Sequence, residues 1–203
     1  MDHWPEVIGA SAPIAIAALG CVRYWLRTRG ERARHRALDM TRRAIARRVQ
    51  IQSLISDARR DMAAQRVLVL RAENGGGIPR GDGDLHSSVI YESCQDDLEP
   101  VAPRWKDQLM DGEYMSVLLK ALSNRVTRVV TSELPAGDLR DVYVAGGTVW
   151  SKVVLLDVNA KRMLYMSFTF DEEPPEDTIG RAKLRDSVRA TATAVRTLLL
   201  EDP

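Results

Sequence analysis

Residues 66–77 read RVLVLRAENGGG, a short run rich in Val and Leu that stops at Asn74-Gly75-Gly76-Gly77 the way a strand ends in a turn. The chain on its N-terminal side has a different period. Between residues 28 and 65 there is no proline, only Gly30 among glycines, and much Ala, Arg, Leu and Gln, all good helix formers. Ile51, Ile55, Ala58 and Met62 recur there at spacings of 4, 3 and 4, which draws one stripe down a helix. Carried backwards, the same frame meets Arg48 and Thr41, so the stripe is continuous only over the last three turns. The sequence predicts one connecting helix over 28–65 and a strand over 66–72.

On the C-terminal side, 86–91 (HSSVIY) reads as a second strand across a loop rich in Gly and Asp. Residues 111–124 look helical, with Tyr114, Val117, Leu118 and Leu122 on one face. Strand candidates follow at 125–131, 141–145, 149–157 and 163–170, with Gly146-Gly147 and Asn159-Ala160 as turns. A closing helix over 176–200 carries the stripe Leu184, Val188, Val195 and Leu198. Helix, two strands, helix, four strands, helix describes an α+β domain: one antiparallel sheet of about six strands flanked by helices.

The N-terminus has another character. Sixteen residues from 7 to 22 carry no charge (VIGASAPIAIAALGCV), and Tyr24-Trp25-Leu26 extends the run past Arg23. Twenty helical residues reach about 30 Å, the thickness of a bilayer's hydrocarbon core. Trp4 and Tyr24-Trp25 fall where interfacial aromatics belong, and Arg23 can snorkel to the headgroups. The opposing reading is a buried or interfacial helix, since the stretch is rich in Ala, Gly and Ser and contains Pro13. A cleaved signal peptide fits less well, because the leading residues are acidic where a basic region belongs.

The near-neutral total of 29 basic and 28 acidic residues hides a sharp polarity. Residues 1–22 sum to minus 2, residues 23–48 to plus 8 through ten Arg, and the remainder to minus 5. Arg23, Arg27, Arg29, Arg32, Arg34 and Arg36 abut the apolar run, the place for contact with anionic lipid headgroups. Their density also suits nucleic acid, but no aromatic residue is interleaved for base stacking, which argues against that partner. Basic residues next to a span stay on the cytoplasmic side. The expected topology is single-pass, with the N-terminus outside and the C-terminal domain cytoplasmic. The expected divisions are 1–27 as N-terminal segment and span, 28–65 as basic juxtamembrane and connecting helix, and 66–203 as the folded domain.

The element order, with RVLVLRAENGGG as an opening strand and MLYMSFTF at 163–170 as a late central one, resembles the GAF family, relatives of PAS domains. The resemblance covers about residues 40–201. It implies a long first helix packed against the last on one face of a six-stranded sheet, and a ligand on the other face, here under residues 73–122. Candidate ligand contacts on that reading are Asn74, Gly75, Gly76, Gly77, Arg80 and His86. A Gly-rich loop presents backbone N–H groups to anions; against that, no Lys-Ser or Lys-Thr follows and no helix starts after the glycines, which favours a plain hairpin turn. His86 opens a strand, where a structural role is the plainer reading. Trp105, Trp150 and Tyr114 suit either a pocket lining or the core. The NGGGIP stretch also resembles small membrane-anchored proteins of bacterial viruses.

Chemistry is sparse. Cys21 lies in the apolar run and Cys94 far along the chain, so no disulfide framework is expected. His3, His35 and His86 are scattered, and neither a metal nor a cofactor is expected. One GAF-like branch reduces methionine sulfoxide with cysteines, but thiol exchange needs a resolving partner for Cys94. Asp96-Asp97 and Glu172-Glu173 read as solvated loop acids. The expectation is therefore no enzyme. Two function classes remain: a membrane-tethered binding or regulatory module for a small molecule or protein partner, or a structural or assembly membrane protein of a bacterium or bacterial virus. No output domain is expected after Pro203. Either class is expected to form homo-oligomers through Ile51, Ile55, Ala58 and Met62.

Overall fold

The computed structural model describes residues 6–73, 85–159, 162–173 and 177–200, with side chains left undescribed at 6–23 and 26. The chain divides into two units, Met1–Arg48 and Val49–Pro203. The first contains most of α1 (Glu6–Asp61), a single helix that takes in the expected span and the expected connecting helix as far as Asp61, four residues short of the expected end. Gly30 does not interrupt it, and Arg27, Arg29, Arg32, Arg34 and Arg36 are all exposed along it. Arg27 pairs with Glu31 one turn on at 3.2 Å, and the Arg29 guanidinium stands 5.0 Å over the Trp25 ring. Among the described residues no helix is long and apolar enough to cross a membrane. The side chains of the uncharged run 7–22, and that of Arg23, lie outside the described residues.

The second unit is built on one antiparallel sheet. Its strands are β1 (Arg66–Glu73), β2 (His86–Cys94), β3 (Gln108–Leu109), β4 (Val126–Val130), β5 (Trp150–Val158) and β6 (Met163–Phe170), in the order β3-β2-β1-β6-β5-β4. The helices are α2 (Gly112–Asn124), α3 (Asp138–Ala145) and α4 (Thr178–Leu200). Strand side chains alternate between faces, and here both faces are apolar. Val67, Val69, Leu164, Met166 and Phe168 pack with Ile51 and Ile55 of α1 and Val188, Ala192 and Val195 of α4. Leu68, Leu70, Met163 and Tyr165 pack on the other side with Val117, Leu118 and Ala121 of α2 and Leu139 and Tyr143 of α3.

Three expectations are corrected. Residues 141–145 are not a strand but the end of α3. Leu139 and Tyr143, four residues apart, are the buried pair, and Asp138 and Asp141 sit in the first turn, where the helix dipole favours acids. Gly146-Gly147 ends that helix; Gly147, at φ +64°, takes the left-handed conformation that glycine adopts without strain. The sixth strand is instead β3, two residues long and invisible to any periodicity. The third correction concerns the proposed self-association stripe. Ile51 and Ile55 are 0 % exposed and Ala58 is buried, with Met62 partly buried against the same cluster. The stripe is occupied by the chain's own sheet, so it is not on offer to a second copy.

Single cysteines in a background lacking Cys21 and Cys94 test this packing. Ile45→Cys, at a position 57 % exposed, should react with a maleimide at the rate of a free thiol. Ile51→Cys and Ile55→Cys should react at least about 100-fold more slowly, through local opening. Equal rates at all three would show that this helix face is not packed.

Candidate functional site

The sheet face covered by α2 and α3 contains a cleft of about 340 Å³ between the loop before β3, the start of α2, and α3. Local structure shapes it. Asp111 caps α2, its carboxylate accepting from the Tyr114 N–H at 2.7 Å, as short acidic side chains do for orphan helix donors. That places Tyr114 on the first turn, facing inward. Its ring tilts against Trp105 at 5.8 Å and meets Tyr165 edge-on at 6.4 Å. The Tyr114 and Tyr165 hydroxyls are 2.9 Å apart, and Tyr165 continues to Ser87 Oγ at 2.6 Å. A line of hydroxyls thus runs from the cleft wall into the sheet. Nearby, the Tyr143 hydroxyl lies 2.8 Å from Ser151 Oγ.

Burial pushes the phenols of Tyr114, Tyr143 and Tyr165 upward, Tyr114 also through its neighbour Tyr165. They stay protonated, each able to donate one hydrogen bond and accept others. Two buried polar atoms beside them have no partner among the described residues: the Trp105 indole N–H and Glu113 Oε2. Gly137 comes so close to Glu113 that a Cβ there would lie 2.6 Å from Oε2. The lining carries Asp111, Asp138 and Asp141 with Arg104, and Arg104 is already paired with Glu99 at 2.8 Å. The cleft is therefore aromatic on one wall and electronegative at its mouth. Among the described residues no group of three His, Cys, Asp or Glu is placed to hold a metal ion.

Trp105 and Tyr114, set apart in the sequence as either pocket or core, come together here. Trp150 does not join them: it stacks on Phe170 at 4.3 Å on the opposite face and donates its N–H to the Glu172 carbonyl at 2.6 Å. His86 opens β2 outside the cleft lining, its Nδ1 3.0 Å from the Asp107 carbonyl. Asn74, Gly75, Gly76, Gly77 and Arg80 lie outside the described residues. Cys94 is held 3.7 Å from the Leu98 carbonyl, and burial, with Glu92 beside it, raises its thiol above the usual value. Tyr143, Tyr165 and Ser87 escape a reading by motif, since each looks like ordinary strand or helix content. Asp138 and Asp141 did carry a signal, the acidic first turn of a helix.

No family model matches the sequence, and no curated protein matches it. Solved structures do. A far-red cyanobacteriochrome photoreceptor superposes with a TM-score of 0.52 at 12 % identity, covering 85 % of this chain and 98 % of that one. The GAF domain region of a Geobacter sulfurreducens protein superposes with a TM-score of 0.51 at 13 % identity, covering 79 % of this chain and 97 % of that one. At such identities the likeness establishes the fold, which is GAF-like.

The buried phenols set an alkaline limit. Unfolded tyrosine titrates near pH 10, and folded Tyr143 and Tyr165 titrate higher. Above about pH 10 the folded chain holds more protons than the unfolded one, so stability falls as pH rises, by up to about 1.4 kcal/mol per pH unit per tyrosine. Urea unfolding at pH 8 and pH 11 should show a smaller loss in Tyr143→Phe/Tyr165→Phe than in the parent. An unchanged loss would place both phenols in water.

Proposed function

We propose that this chain is a binding or regulatory module whose GAF-like domain takes a small organic molecule in the cleft beneath α2 and α3. The unpartnered, buried indole N–H of Trp105 carries this reading. Burying a donor without a partner costs free energy, and a ligand acceptor at the cleft wall would supply the partner. The Trp105–Tyr114 wall suits an aromatic or apolar body, and Asp111, Asp138 and Asp141 suit a cationic or donor-bearing end. The volume is within the range of ligand pockets. Binding rather than catalysis is favoured by Cys94, whose raised thiol is the reverse of an activated nucleophile. Purified full-length protein should release a small molecule on denaturation, detected by mass spectrometry, or gain thermal stability from members of a metabolite library. Val142→Trp, which fills the cleft from α3, should abolish either effect while melting within a few degrees of the parent. A ligand effect that survives Val142→Trp would place the site elsewhere.

The module is membrane-anchored on this reading, with the N-terminus outside and the domain in the cytoplasm. The support is the uncharged run 7–22 followed by ten Arg within 23–48, a charge bias that orients single spans and favours anionic headgroups. Alkaline phosphatase fused after Pro203 should be inactive and green fluorescent protein fluorescent. Active phosphatase would reverse the orientation. A second reading, as a structural or assembly component of a bacterium or bacterial virus, draws on Leu38, Met40 and Ile45, apolar residues of α1 that are 47 %, 69 % and 57 % exposed and that a second copy would cover.

A further inference from the structure

We propose that the groove between α4 and the edge strand β4 binds an organic phosphate with an apolar or planar body, gripped by Lys152, Arg125, Arg189 and Arg196. The groove encloses about 510 Å³ on the face opposite the aromatic cleft, and its assignment is independent of that cleft. It exists because α4 packs on β5 and stops short of covering β4. Val126 on β4 is left 44 % exposed, beside Val154, Leu156, Val188 and Ala192, which form an apolar floor.

The walls are cationic. Arg185, Arg189 and Arg196 recur at four and seven residues on α4, Lys152 rises from β5, and Arg125 comes from the α2–β4 corner. No carboxylate lines the groove. Arg185 pairs with its chain neighbour Asp186 at 3.3 Å. Arg125, Lys152, Arg189 and Arg196 have no acidic partner among the described residues. Lys152 is the telling group. It is half-buried on a core-facing strand position, and the charges beside it, Arg185 and Arg128, have its own sign. Desolvation, then those two guanidiniums, lower its pKa. A bound anion would offset both the desolvation and the like charges around this lysine. Arginine forks match phosphate oxygens in pairs, and the apolar floor leaves room for a base or an acyl chain. Its volume of about 510 Å³ falls within the range of small-molecule pockets.

Two sources share this chemistry, nucleotides and lipid phosphates. The test uses full-length protein in maltoside detergent, the fluorescent nucleotide mant-ATP, and short-chain dihexanoyl phosphatidic acid. Saturable binding of either probe is expected, and whichever binds identifies the source. Lys152→Met and the fully surface-level change Arg189→Gln should each weaken it about tenfold or more, as loss of one charge-assisted contact does. Val142→Trp, in the other cleft, should leave it unchanged. Inorganic phosphate should compete only at concentrations about 100-fold higher. The proposal is overturned if neither probe saturates, if binding is indifferent to both Lys152→Met and Arg189→Gln, if Val142→Trp removes it, or if inorganic phosphate competes equally.

Discussion

Strand β6 is buried at all eight of its positions, and that requirement organises the domain. A strand covered on both faces cannot sit at the surface of a two-layer structure. It needs paired neighbours on both sides, which β1 and β5 supply, and a helical layer on each face. One layer is the end of α1 with α4; the other is α2 with α3. Chain order follows from this need, since the helices that open and close the second unit share one face, and the intervening ones fall to the other. The same arrangement creates both openings. Each lies where a helical layer runs out before the sheet does.

Much of this was legible in the residues. MLYMSFTF carries no charge on either row, which is what a doubly covered strand shows, and RVLVLRA ends in glycines as a strand entering a turn should. The amphipathic stripes of α2 and α4 fixed those helices to within two residues. What failed did so for identifiable reasons. DVYVA is β-branched enough to pass for a strand, yet its burial repeats at four residues, Leu139 to Tyr143, and the acidic residues at its start serve a helix. The strand β3 is held by pairing with His86 and Ser87, a tertiary contact that no local pattern announces. The stripe at Ile51, Ile55 and Ala58 was real, but periodicity cannot tell whether its partner is another copy or the chain's own sheet.

The cleft was legible only in part. Trp105 and Tyr114 stood out by type, whereas the hydroxyl line through Tyr165 to Ser87 joins residues 78 positions apart and depends on which strands become neighbours. The basic groove was harder still. Its cations come from three elements, and in a sequence of near-neutral charge each looks like an ordinary solvated arginine or lysine.

The junction that follows α1 ties distant parts of the domain through one buried side chain. Gln65 is 4 % exposed, yet its groups are satisfied. Its backbone N–H donates to the Thr169 carbonyl, and its own carbonyl accepts from Gln95. Its amide nitrogen donates to the Gly146 carbonyl at 2.8 Å, and its amide oxygen accepts from Thr148 Oγ1 at 3.1 Å. Gly146 is the C-terminal cap of α3, which walls the aromatic cleft. A shift of that helix must therefore either drag the residue that leads into β1 or break bonds worth about 1 kcal/mol each. The C-terminal end of α3 and the α1–β1 joint are in this way tied together by a single neutral amide.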